Sequence, residues 1–133
     1  MKSKGLLFDT CAWVEYFKSR SSSLKQTAED LLLTGKVYVC GPVVYELSQG
    51  IKSEKERALL ANAFAALGYL EMDEALWFKA GELSALVKRR GKTIPLSDIL
   101  IATLALEHDL TILTVDRHFE QITGLKLYSL KAK

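Results

Sequence analysis

The chain has 133 residues, 49% hydrophobic and 26% charged, the size and make-up of one globular domain that needs no disulfide or metal staple. A net charge of +2 neither demands nor forbids a nucleic-acid partner, since affinity for phosphate depends on where basic groups gather. Cys11 and Cys40 form no C-x-x-C pair, which argues against a zinc site or a secreted disulfide framework and suits two small reduced side chains.

In chain order, short apolar runs alternate with longer helical ones. Residues 6–8 read as a buried strand, after which Thr10 is placed to cap a helix through Phe17. The serines at 21–23 introduce a second helix that ends near Gly35. Residues 37–39 are a short strand, and Gly41-Pro42 starts a helix that stops at Gly50. Ser53 and Glu56 form a capping box for a helix to about Leu67. Residues 69–71 suggest another strand. Asp73 then caps a long helix whose last turn carries Lys88, Arg89 and Arg90, with Gly91 just beyond it. Residues 96–107 are apolar nearly all round and predict a buried helix. Residues 111–113 and 126–128 supply the last strands. Strands separated by helices imply an α/β fold, with a mostly parallel sheet of four to five strands covered on both faces. No repeat or linker divides the chain, so residues 1–133 read as one domain. The apolar stretch 5–8 is too short for a signal peptide and residues 58–70 too short for a membrane span; a soluble, cytoplasmic protein is expected.

Four acids stand out. Asp9 directly follows the first strand and Asp116 follows the strand beginning at Thr111, both at the strand ends where open α/β sheets bind ligands. Glu46 lies one to two turns into a helix among Val43, Val44, Tyr45 and Leu47. Asp98 opens the buried helix. Singly, the three aspartates read equally well as helix caps, and Glu46 as a surface glutamate. Together they are carboxylates beside buried segments, where desolvation calls for a cation or hydrogen bonds. An all-oxygen set suits Mg²⁺ or Mn²⁺. Such ions activate water and neutralise charge on a scissile phosphodiester.

The blocks Leu7-Phe8-Asp9-Thr10-Cys11-Ala12-Trp13, Val44-Tyr45-Glu46-Leu47-Ser48-Gln49-Gly50, Ile94-Pro95-Leu96-Ser97-Asp98-Ile99-Leu100-Ile101-Ala102 and Leu113-Thr114-Val115-Asp116-Arg117-His118-Phe119 resemble those of PIN domains. They are most similar to VapC toxins of bacterial and archaeal toxin–antitoxin pairs. The resemblance runs essentially end to end, with the four blocks in the family's order. It implies a PIN-like parallel-sheet ribonuclease with metal held by Asp9, Glu46, Asp98 and Asp116 as the catalytic set. It also implies RNA as substrate, homodimerisation and inhibition by a cognate antitoxin. Cys11 departs from the family, which more often has serine there.

Thr10 and Thr114 flank the acids and are candidates to orient them, with a helix cap and a plain strand residue as competing readings. Ser97 has the same two readings, with the cap favoured. His118 reads as a solvated histidine within reach of RNA, and Trp13, Tyr16, Phe17 and Trp77 read as core. A mean hydropathy of +0.09 leaves room for some of these aromatics to line a dimer or antitoxin surface. Two rival classes share the first-strand aspartate. A haloacid-dehalogenase-type phosphatase needs a second Asp where Cys11 stands, and a response-regulator receiver needs an acid where Phe8 stands. A PIN-type RNA-processing nuclease and a non-cleaving PIN-like binding module remain as alternatives to the toxin.

Overall fold

Five strands, Gly5–Phe8 (β1), Val37–Cys40 (β2), Gly68–Leu70 (β3), Leu110–Leu113 (β4) and Lys126–Leu127 (β5), form one sheet in the computed structural model, which describes residues 3–130. The order is β3-β2-β1-β4-β5, and every pairing is parallel. Such a sheet is buried on both faces, so its strands carry continuous apolar runs rather than alternation. Leu7, Phe8, Ile112 and Leu113 are accordingly sealed at the centre.

The helices are Thr10–Phe17 (α1), Ser23–Thr34 (α2), Gly41–Ser48 (α3), Glu54–Ala65 (α4), Glu74–Arg89 (α5) and Leu96–His108 (α6). Their boundaries follow the local chemistry. Ser22 and Ser53 accept the N–H groups of Lys25 and Glu56, and Asp73 accepts that of Leu76. Pro42 sits in the first turn of α3, where its missing N–H is harmless. Gly91, at φ +78°, ends α5 in a left-handed turn that a side chain would strain. Every residue of α6 from Ile99 to Ala105 is buried, as its all-round apolar character requires.

Two expected caps fall elsewhere. Asp9, not Thr10, caps α1 through a bond from the Ala12 N–H. Ser97 does not cap α6 either: the helix begins at Leu96 after Pro95, with no side-chain cap bond. Of the aromatics read as core, Trp13 is sealed and packs on Phe8 and Phe64, whereas Trp77 is half-exposed. Trp77 lies one residue from Leu76, which takes the inward face of α5 and turns the indole outward. A short 3₁₀ helix, Arg117–Gln121, follows β4 and has no signature in the apolar pattern.

β1 lies between β2 and β4: the chain runs outward from β1 through β2 to β3, then crosses back to β4 on the other side. That is the topological switch point, beyond whose carboxyl edge a crevice opens. The register pairs Phe8 with Leu113, so the next residues, Asp9 and Thr114, emerge side by side at that edge. Because the site hangs on these central strands, their packing sets its rigidity. Leu7→Ala, at a fully buried position, is expected to cost about 2–5 kcal/mol in urea unfolding. Leu33→Ala, at a position 85% exposed, should stay within about 0.5 kcal/mol.

Candidate metal centre

Asp9 is the only acid buried among the described residues, at 3% exposure. Its Oδ1 accepts the Ala12 N–H at 3.0 Å and its Oδ2 accepts the Thr114 hydroxyl. The Cys11 thiol lies 2.9 and 3.2 Å from the two oxygens. A carboxylate offers about four lone-pair sites, so three donors leave one open. Burial raises the Asp9 pKa against the lowering effect of the bonds from Cys11, Thr114 and Ala12. The Cys11 thiol is itself pushed up to about 11, first by burial and then by the Asp9 charge, so it remains a donor.

Thr114 is a coupling point. While its hydroxyl donates to Asp9, its oxygen accepts the Asp116 N–H at 2.8 Å, which fixes the turn carrying Asp116. Glu46 is held from two sides. Thr10 donates to Oε1, and Ser97 donates to Oε2 at 3.0 Å. Thr10, Ser97 and Thr114 thus each put a hydroxyl on a carboxylate of the predicted set.

Asp98 occupies the first turn of α6, where unpaired backbone N–H groups favour a carboxylate. Asp116 caps the 3₁₀ helix by accepting the His118 N–H at 2.9 Å. The His118 imidazole then turns back into the site. Its Nδ1 lies 3.1 Å from Asp98 Oδ2 and 3.0 Å from Asp116 Oδ1. Asp98, Asp116 and His118 each offer a ligand atom within 4.8 Å of the other two. The His118 side chain stays 42% exposed, as expected of a solvated histidine, but the 3₁₀ turn after Asp116 also folds its ring against the acids. Its spacing of two residues from Asp116 was the one available signal. Asp98 has a raised pKa, mainly from burial, and His118 a raised one, mainly from its bond to Asp98.

The structure therefore gathers Asp98, Asp116 and His118 into one cluster. Asp9 stands behind it, tied to Asp116 through Thr114, and Glu46 lies across α3, tied through Ser97 to the helix that carries Asp98. A carboxylate-rich group with an open lone pair on the buried Asp9 fits a divalent cation by its donor chemistry.

A parallel α/β sheet with such a group over its switch point defines the class, and sequence comparison gives the family. The PIN-domain family model matches residues 6–125. Ribonuclease VapC11 of Mycobacterium tuberculosis is 30% identical, covering 95% of this chain and 99% of the relative. The chain belongs to the PIN-domain family, in its VapC ribonuclease branch. Among solved folds, a DNA-bound VapBC from Salmonella typhimurium superposes with a TM-score of 0.79 at 20% identity, covering 93% of this chain and 96% of the other. VapBC-1 from nontypeable Haemophilus influenzae gives 0.78 at 20% identity, with 94% and 97% covered. At that identity the likeness speaks for the fold.

The raised groups fix the sign of a pH effect. Asp98, with its folded pKa above the unfolded value of ~3.9, costs stability fully above the folded value and not at all below ~3.9. Protonated His118 adds stability below ~6.5, lost as pH rises through its raised folded value. Asp98→Asn removes the first effect and the largest contribution to the second, leaving the part that Asp116 supplies. In EDTA, its melting temperature relative to wild type should therefore climb as pH rises from about 4 to about 8. A difference that stays flat across that range would mean the Asp98 carboxyl is not under strain.

Proposed function

We infer that the protein is a divalent-metal-dependent endoribonuclease, the toxin of a type II toxin–antitoxin pair, acting in the cytoplasm. The observation that carries this reading is the set of acids at the switch point, two of them within one ligand cluster, in a chain 30% identical to a named VapC ribonuclease. Asp9, Asp98 and Asp116 are assigned to the ion, and Glu46 to the ion or to a water beside it. Mg²⁺ or Mn²⁺ in such a site lowers the pKa of bound water and offsets charge on the scissile phosphate. The chain's own residues do the rest. Asp9 anchors the cluster to β1 and β4, and the hydroxyls of Thr10 and Ser97 hold Glu46 against rotation.

The purified protein should cut single-stranded RNA with Mg²⁺ or Mn²⁺ and stop in excess EDTA. Because the partners of metal ligands are alone worth about 10–100-fold, Asp9→Asn or Asp98→Asn should lower cleavage at least ~100-fold. Cleavage that persists undiminished in chelator would overturn the mechanism.

RNA as substrate, a homodimer and a cognate antitoxin complete the reading. No helix among the described residues is long and apolar enough to cross a membrane. Apolar surface is nonetheless left uncovered: Trp77 and Phe78 on α5 are 51% and 70% exposed, and Trp77 lines one hollow with Tyr45 and Leu96. Exposed aromatics grouped in this way suit a protein partner. Light scattering across micromolar concentrations should return a dimer mass; a strict monomer would remove the homodimer from the proposal.

A further inference from the structure

We propose that His118 is itself a ligand of the divalent ion, through Nδ1, and that this nitrogen makes the site prefer Mn²⁺ over Mg²⁺. The inference rests on the reading of the acids as a metal site and goes beyond it by adding a nitrogen to an otherwise all-oxygen set.

Three observations support it. The first is distance. Nδ1 stands 3.0 Å from Asp116 Oδ1 and 3.1 Å from Asp98 Oδ2. Adjacent ligands of an octahedral ion with bonds of ~2.1 Å lie about 3.0 Å apart, so the three atoms already have the spacing of neighbours on one ion. The second is how the ring is aimed. The Asp116 carboxylate holds the His118 N–H, Phe119 is fully buried next to it, and Ile122 anchors the end of the turn. These contacts fix the backbone from which the imidazole reaches the two acids. The third is exposure. The His118 side chain is 42% exposed and that of Asp98 13%, so the imidazole closes the solvent side of a cluster whose other members lie deeper.

The chemistry of the donors sets the selectivity. Carboxylate and water suit Mg²⁺ and Mn²⁺ alike, whereas an imidazole nitrogen favours first-row transition ions over the harder Mg²⁺. Neutral imidazole also adds a donor without adding a further negative charge to the carboxylates of the site. The contrary reading is that the ring is a resident cation that fills the ion's place and leaves when the ion arrives. Both explain the same hydrogen bonds, and they predict opposite results.

The test is pulsed EPR of Mn²⁺ bound to the full-length wild-type protein, with titration calorimetry of Mn²⁺ and Mg²⁺ on wild type and His118→Ala. The expected spectrum shows nitrogen modulation that disappears in the variant. Loss of a ligand should weaken Mn²⁺ binding at least ~10-fold, the lower end of what even an outer partner is worth. The Mg²⁺ Kd should move by no more than about threefold, since that ion draws little on an imidazole. Mn²⁺ bound without nitrogen modulation, or bound more tightly by His118→Ala, would overturn the role of His118 and leave the acidic site standing. No Mn²⁺ binding by wild type would overturn the site and this inference together. The spectrum of wild type needs no variant, so the test survives a misfolded mutant.

Discussion

The bond between the Thr114 hydroxyl and the buried Asp9 carboxylate is the constraint on which the rest of the site depends. A parallel sheet covered on both faces has little water to offer a charge at its edge, so an acid placed there must find donors in the protein. Asp9 finds three: the Ala12 N–H and the Cys11 thiol from α1, and the Thr114 hydroxyl just beyond β4. The bond from Thr114 exists because the parallel register brings Asp9 and Thr114 abreast. Since the same hydroxyl oxygen receives the Asp116 N–H, satisfying one buried charge also positions the next acid.

Each acid is stabilised by whatever its element supplies. Asp9 and Asp98 stand at the start of α1 and α6, where free N–H groups and the helix dipole favour negative charge. Asp116 draws on the first turn of the 3₁₀ helix. Glu46 lies too far along α3 for such help, since its neighbours' N–H groups are already committed within the helix. Two hydroxyls from other elements take that part. Thr10, Ser97 and Thr114 therefore occur where backbone donors run out, or where one acid must be tied to another. These bonds help the acids sit close together before any cation offsets their repulsion; the pKa values of Asp9 and Asp98 are nonetheless raised, first by burial and then by the neighbouring acids.

How much of this was legible in the sequence depends on whether the signal was local. The strands and helices are, because apolar runs, caps and glycines act within a few residues: Ser22, Ser53 and Asp73 begin the helices expected of them, and Gly91 follows the end of α5. The acids at strand ends were legible too, as charges directly after runs that had to be buried. Glu46 is legible only as one of four acids beside buried segments and through the resemblance, since one glutamate on an amphipathic helix carries no signal of its own. The hydroxyls were read as ambiguous, and for Ser97 the wrong reading was preferred. A serine before an apolar helix looks like a cap, and only α3 packing against α6 brings Glu46 to its hydroxyl. The contact of His118 with the acids is not legible, because its direction depends on a 3₁₀ turn anchored by Phe119 and on Asp98 arriving from twenty residues earlier in the chain. Such long-range placement leaves no periodicity to find.

The site also has a gradient, and its direction is informative. Asp9 is buried and nearly saturated with donors; the Asp98 side chain is 13% exposed, that of Asp116 36% and that of His118 42%. Groups at the deep end have fixed partners and rotamers locked by packing, which suits them to hold a geometry. Groups at the open end keep lone pairs and room to exchange a hydrogen bond for a metal bond, and only there can a phosphodiester and its attacking water approach. A metal centre needs both, a rigid reference and an adaptable rim. Placing the saturated acid on the central strand and the adaptable ones on a helix start and a 3₁₀ turn provides them within one crevice. The ligand role proposed for His118 falls at this rim and not at the anchor, where a change of donor type leaves the sheet beneath undisturbed.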